Sequence, residues 1–205
     1  MPRIDIAPTK SNLRKVKADL EFAYEGFELL NQKREILVIE IVKTIKSIKE
    51  AEEKLNKNLE ELYAGYRAAA VDSGAEVIAL KSFSESVIYK VNTAWTKLMG
   101  IAVPDHTVET ETPGLNTPLF RTRASYDMLR ECSAPVLKVV VDYASLAKKV
   151  FLLSAELKKV QRRVNALEKI FIPAREETKK YISDRLEEME REEIFIKKLI
   201  GRRSS

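Results

Sequence analysis

Residues 13–62 read LRKVKADLEFAYEGFELLNQKREILVIEIVKTIKSIKEAEEKLNKNLEEL, and their apolar side chains return at alternating steps of three and four. That spacing is a heptad seam, the stripe along which one helix packs against another. Its a positions are Leu13, Leu20, Phe27, Arg34, Ile41, Ile48, Leu55 and Leu62; its d positions are Val16, Ala23, Leu30, Leu37, Thr44, Ala51, Asn58 and Gly65. Asn58 and Gly65 offer little to bury, so the far end is expected to be looser. Thr9 or Ser11, following Pro8, suits an N-cap, and no proline intervenes before Gly74. One helix of about 60 residues and about 90 Å follows, too long for a globule to bury.

The last third repeats the pattern, with Tyr143, Leu146, Val150, Leu153, Leu157, Val160, Val164, Leu167, Phe171, Ala174 and Tyr181 as its seam. Beyond Tyr181 the phase drifts to Ile182, Leu186, Met189, Ile196 and Ile200, a shift that changes supercoiling locally. Pro173 lacks a backbone N–H and is expected to kink the helix or tighten a turn. Two seams separated by an insert predict an antiparallel two-helix coiled coil within one chain, both termini at one tip. The expected parts are an N-terminal helix (1–72), a small insert at the bend (73–133) and a C-terminal helix (134–205).

The insert differs in texture. Val87, Tyr89 and Val91 alternate with Ile88, Lys90 and Asn92, which suits a short strand, and Met99, Gly100, Ile101 and Val103 supply a returning partner. A short β-hairpin is expected there. The following VPDHTVETETPGLNTP, with Pro104, Pro113, Gly114 and Pro118, reads as a loop, and Ala124–Glu131 as a short helix.

Charged residues make up 33% of the 205 residues against only 6 glycines and 7 prolines, a composition of long solvated helices rather than of a loop-rich enzyme. The net charge of +5 sits in residues 134–205, which hold 17 basic and 11 acidic side chains, whereas residues 1–72 hold 13 of each. One cysteine excludes an intrachain disulfide, and the polar MPRIDIAPTK lacks the apolar core of a signal peptide, so a cytoplasmic setting is expected. The longest apolar stretches, such as Ile36–Ile39 and Val136–Val141 with Lys138 inside it, fall far short of the roughly 20 residues that span a bilayer.

Candidate chemistry is sparse. The glycines are scattered singly, so no phosphate-cradling loop is present and no cofactor is expected. His106 is the only histidine and Cys132 the only cysteine, too few for a Cys/His metal site; a loop histidine and a small buried apolar thiol are the plainer readings. Glu187, Glu188, Glu190, Glu192 and Glu193 interleave with Arg185, Arg191 and Lys197 and read as i,i+4 pairs, not an acid/base dyad. Lys158, Lys159, Arg162 and Arg163 lack interleaved aromatics, which argues against nucleic acid. Arg34 breaks the apolar seam: it either snorkels outward or, level with Pro173, answers the carbonyl freed there or pairs Glu176 or Glu177.

These residues carry a specific likeness. Pro8-Thr9-Lys10 with Leu13, Lys17, Leu20, Gly26, Leu29, Leu30, Lys33, Arg34 and Leu37 resembles the opening helix of the D-subunit family of V/A-type ATPases. Arg162-Arg163-Val164-Asn165-Ala166-Leu167-Glu168, Ile172-Pro173 and Glu188-Met189-Glu190-Arg191-Glu192-Glu193 with Phe195 resemble its closing helix more closely still. Val87–Val91, Met99-Gly100 and Val103-Pro104 are similar to its short strand region, while Asp105–Pro118 departs from the pattern. The resemblance implies a non-catalytic central rotor shaft, inserted termini first into a hexamer of catalytic and nucleotide-binding regulatory subunits (A and B). It implies the F subunit alongside, a funnel subunit (C or d) at the membrane side, and contact with the membrane only through the rotor ring.

Two contact regions are expected on that reading. One is the basic tip, Lys10, Arg14, Lys15, Lys17, Lys197, Lys198, Arg202 and Arg203, which either makes electrostatic contacts inside the head or serves solubility. The other is the hairpin region, Val87, Tyr89, Val91, Met99, Gly100 and Val103, similar to the element implicated in stimulating ATP hydrolysis. A free-standing coiled-coil scaffold or membrane-curving module is the alternative, since coiled-coil patterning alone suits both.

Overall fold

The computed structural model describes residues 4–84, 88–111 and 124–203. Helix α1 (Lys10–Ser73) is followed by α2 (Ala75–Ser84), strands β1 (Ile88–Leu98) and β2 (Ile101–Glu111), and helix α3 (Ala124–Ala166). A π-helical segment (Leu167–Phe171) then joins α3 to α4 (Ile172–Arg203). The fold is an antiparallel two-helix coiled coil with a hairpin and a short helix inserted between its long helices.

Thr9 caps α1: its hydroxyl accepts from the Asn12 N–H at 3.2 Å, and its carbonyl accepts the first helical bond from Leu13. The helix ends at Gly74, whose φ of +84° is the left-handed conformation that terminates helices, and its N–H bonds the Ala70 carbonyl. Between the caps, every a and d residue from Leu13 to Gly65 is buried or half-buried. The heptad reading of α1 therefore holds residue by residue.

The chain divides into two compact units, residues 1–38 with 156–205, and residues 39–155. In the first, Leu20 and Ala23 of α1 pack on Ile172, with Phe27 and Leu167 against them. Val16, Leu37, Val160, Val164 and Ile182 are also buried. Polar pairs follow the antiparallel direction: Lys10 with Glu190, Asp19 with Arg175, Tyr24 with Glu176, and Lys33 with Glu156. Thr178 is fully buried, gives its hydroxyl proton to the Ala174 carbonyl at 2.6 Å, and accepts the Ile4 N–H at 3.1 Å.

Three expectations are corrected in this unit. Of the kink or tightened turn expected at Pro173, the tightened turn does not form, because the turn before it is widened: the Ile172 N–H bonds the Leu167 carbonyl, five residues back. Val164 and Ile172 are both buried but eight residues apart, one more than a heptad allows, and the π segment absorbs the extra residue. Phe171 is thereby turned out at 37% exposure while Ile172 takes the seam, so the phase changes before Tyr181, not after it. Arg34 is not level with Pro173 either. Its guanidinium reaches the Gln161 Oε1 at 3.4 Å, about three turns away, and Glu176 accepts instead from the Tyr24 hydroxyl at 2.6 Å.

In the second unit α1 again lies antiparallel to α3. Lys149 reaches Glu40 at 2.8 Å, and a Cβ at Gly65 would touch the Leu129 backbone at 3.9 Å. Leu153, Val136 and Thr44 are buried, and Ala69, Ile78 and Tyr126 form a second cluster bringing α1, α2 and α3 together. Residues 124–131, read as a separate short helix, are the first turns of α3. Pro135 costs that helix one hydrogen bond, but its fixed φ is helical, and Tyr126 and Val136 are buried on either side of it. The short helix of the insert is α2, which precedes the hairpin.

The hairpin is longer than expected. Strands β1 and β2 pair from Ile88↔Glu111 to Leu98↔Ile101, closed by Met99 (φ 53°) and Gly100 (φ 83°), the two positive φ angles that a tight hairpin turn requires. Residues 104–111 are strand, not loop. Pro104 is tolerated because a two-stranded ribbon has free edges where its missing N–H is not needed. Val87 and residues 112–118 lie outside the described residues.

Candidate interaction surfaces

Two surfaces carry the residues expected to make contacts. At the end of the first unit, the N-cap at Thr9 fixes where α1 begins, and Lys10 there lies 2.7 Å from Glu190. This bond holds the Lys10 ammonium above its ordinary pKa and the Glu190 carboxyl below its own. Lys197 lies 3.6 Å from Glu193 on the next turn of α4. Arg14, Lys15, Lys17 and Lys198 are exposed, and Arg202 and Arg203 occupy the last turn of α4. The tip is thus a mixed-charge surface, with two of its lysines matched by carboxylates.

The same end carries a feature the charge count passed over. Every residue of α4 from Glu187 to Ile200 is exposed, including Ile194, Phe195, Ile196, Leu199 and Ile200 at 45–65%. Because Lys10 opens α1 opposite Glu190, α4 runs on past the start of its neighbour. The sequence signal was the apolar content of residues 194–200 beside a first helix that begins no earlier than Thr9.

The second surface is the hairpin in its own unit. Val103 and Pro104 are buried, and the His106 N–H donates to the Ser145 Oγ at 3.2 Å, while that hydroxyl donates to the Val141 carbonyl at 2.9 Å. Ser145 therefore fastens β2 to α3. Beside it a cleft of about 430 Å³ is bordered by Thr96, Asp105, Asp142, Leu146 and Lys149. Lys149 is committed to Glu40, whose carboxyl it holds below the ordinary range. His106, read as a loop residue, is in β2, with Nδ1 3.0 Å from the Thr93 hydroxyl. Cys132 is half-buried in α3.

Of the hairpin residues named from the sequence, Met99 and Gly100 form the turn, Val103 faces inward, Val91 is exposed, and Tyr89 is in β1. Trp95, missed by that reading, is 65% exposed on the same side of β1 as Val91, four residues along. Its alternation with Val91 was the available signal.

Among the described residues, no group of three or more His, Cys, Asp or Glu side chains is placed to hold a metal ion. No described helix is long and apolar enough to cross a membrane.

Comparison with known proteins agrees with this picture. The family model for the ATP synthase D subunit matches residues 12–202. The chain is 34% identical over 192 residues to the V-type ATP synthase D subunit of Thermotoga neapolitana, covering 94% of this chain and 95% of that one. It is 33% identical over 198 residues to the V-type ATP synthase D 2 subunit of Treponema pallidum, covering 97% and 95%. With the A-type ATP synthase D subunit of Methanopyrus kandleri it shares 31% identity over 205 residues, covering 97% and 88%. Matches of this extent run through both long helices and the hairpin, and the chain belongs to the family of ATP synthase D subunits.

Proposed function

We propose that this subunit of a V/A-type rotary ATPase is its central rotor shaft, carrying torque between the ATP-handling head and the membrane rotor without catalytic residues of its own. The observation that supports this most directly is the unbroken seam of α1: sixteen consecutive a and d positions, Leu13 to Gly65, are shielded within one 64-residue helix. A shaft must resist twisting, and a continuous packed seam resists it. It must also offer unlike faces to the subunits around it, which the charged and apolar flanks provide.

On this reading the residue 10 and 190 end enters the hexamer of A and B subunits, the F subunit binds alongside, and the funnel subunit (C or d) links the chain to the membrane ring. The hairpin, fastened through Ser145, influences hydrolysis by its exposed Val91 and Trp95 face. The protein works on the cytoplasmic side, peripheral to the membrane.

The test is reconstitution with the two large head subunits and the F subunit, followed by complex mass and ATPase activity. One copy per head with altered hydrolysis is expected. A chain that stays apart, or forms a homodimer that binds anionic vesicles, would replace the shaft with the scaffold or membrane-module reading.

A further inference from the structure

Residues 164–189 carry two apolar series one residue apart. The first steps forward from Val164 in unbroken heptads, through Leu167, Phe171, Ala174, Thr178 and Tyr181, and ends at the charges of Arg185 and Glu188. The second starts at Ile172 and runs through Ile182, Leu186 and Met189. Phe171 and Ile172 cannot both hold the seam, and the π turn over Leu167–Phe171 selects Ile172. Ile172 and Ile182 are buried, and Phe171 is turned out. The first series nevertheless stays at the border of the seam: Thr178 is fully buried, and Ala174 and Tyr181 are half-buried.

Each arrangement has a cost at the same turn. The π form carries one residue more than a heptad needs and leaves an aromatic ring outside. The unbroken α form would bury that ring, but Pro173 would then press on the Lys169 carbonyl, four residues back, and Ile172 would leave its cluster with Leu20 and Ala23. Opposed costs of this kind bring two packings of one sequence close in free energy. What latches the π form is Arg175. Its guanidinium carbon lies 3.5 Å from the centre of the Phe171 ring, and one of its nitrogens lies 3.2 Å from Asp19 of α1, so it covers the ring from outside. The Arg175 Nε is buried with no hydrogen-bond partner among the described residues, which weakens the latch.

We propose that the π turn is a register switch: α4 also pairs with α1 as an unbroken continuation of α3, with Phe171 in the seam in place of Ile172 and the Arg175 latch open. Passing between the two forms turns α4 about its own axis by about 100° and moves it about 1.5 Å along that axis. The exposed pairs of Lys10 with Glu190 and Tyr24 with Glu176 would break, and pairs of that kind oppose the change only weakly. The charged face beyond Arg185 is thereby presented in two orientations. The switch belongs to the chain by itself, so it stands or falls independently of the shaft reading.

The full-length chain is labelled with 4-fluorophenylalanine, and the Phe171 fluorine signal, identified by its loss in Phe171→Leu, is followed by saturation-transfer and relaxation-dispersion NMR. A major signal in exchange with a minor one of about 1–10% is expected. Ile172→Ala withdraws the competitor for the seam and should raise the ratio of minor to major signal about tenfold. Arg175→Gln opens the latch and should raise it about threefold. Deletion of Lys169, an exposed residue of the π turn, sets Ile172 seven residues after Val164; with no surplus residue left, a single signal is expected. A cooperative melt shows that each variant is folded. Ile172→Val, expected to raise the ratio about threefold, replaces Ile172→Ala if that chain does not fold. A single Phe171 signal without exchange in the folded Ile172 variant overturns the switch. So does a minor signal that survives deletion of Lys169, since the ring would then be moving in place.

Discussion

The two ends of α1 keep the same heptad and bury it differently. From Val16 to Leu37 four seam residues are shielded almost completely, Leu37 entirely, whereas from Ile48 to Gly65 every seam residue is only half-buried. The difference goes with the d positions: polar Asn58 and side-chain-less Gly65 stand where apolar Ala23 and Leu37 do in the first half. The second unit compensates beside the seam, through the Ala69, Ile78 and Tyr126 cluster and the Ser145 anchor of the hairpin. One repeat can therefore make a tightly interlocked segment and a looser one supported from the side.

The sharpest way to break this comparison is to cut equivalent leucines in the two halves. Leu37→Ala should cost about 2–5 kcal/mol, and Leu62→Ala, half-buried, distinctly less; thermal or urea unfolding measures both. Equal losses would mean that the two halves are packed alike. Next in size, Ser145→Ala removes the acceptor for the His106 N–H and should cost about 1 kcal/mol. Hydrogen exchange at His106 should rise while amides of α1 in residues 13–37 stay protected.

Acid probes both units at once. Glu156, bonded to Lys33 in the first, and Glu40, bonded to Lys149 in the second, have carboxyl pKa values held below the usual 4.5. A depressed folded pKa means stability that is complete above the ordinary value and is lost as pH falls through the lower folded one. Melting temperature should therefore decline below pH 4.5, and Glu40→Gln with Glu156→Gln should flatten that decline. The smallest effect is expected of Lys10→Gln. Its exposed pair with Glu190 should leave the melting temperature nearly unchanged at physiological salt, measured by circular dichroism.

The seam of α1 was legible because apolar recurrence is a local property of sequence, and Leu13 to Gly65 kept their phase. The π segment was not, because Phe171 fits a heptad counted forward from Val164 and only the three-dimensional packing reveals that Ile172 takes its place. The eight-residue interval from Val164 to Ile172, followed by Pro173, was the trace it left. Register between helices is no local property either, which is why Arg34 was set against Pro173 and lies by Gln161. Pro104 misled in the opposite direction, since a breaker in a central strand is acceptable at a free edge. Of the contact surfaces, the basic residues of the tip were visible by charge; the match of Lys197 to Glu193 was legible as an i,i+4 spacing, but that of Lys10 to Glu190 depends on where α1 starts.

On the proposed shaft reading, the bond from the Ile4 N–H to Thr178 has a practical consequence for observing rotation. Thr178 is fully buried, so Ile4, before α1, is tied to α4 by its backbone N–H. A bead or fluorophore attached through residue 5, one step from that pin, would follow the rotation of the helix pair with little wobble of its own. Thr178→Val would release the Ile4 tether without touching the charged surface, making the optical noise of the probe a gauge of how firmly the Thr178 hydroxyl holds that segment.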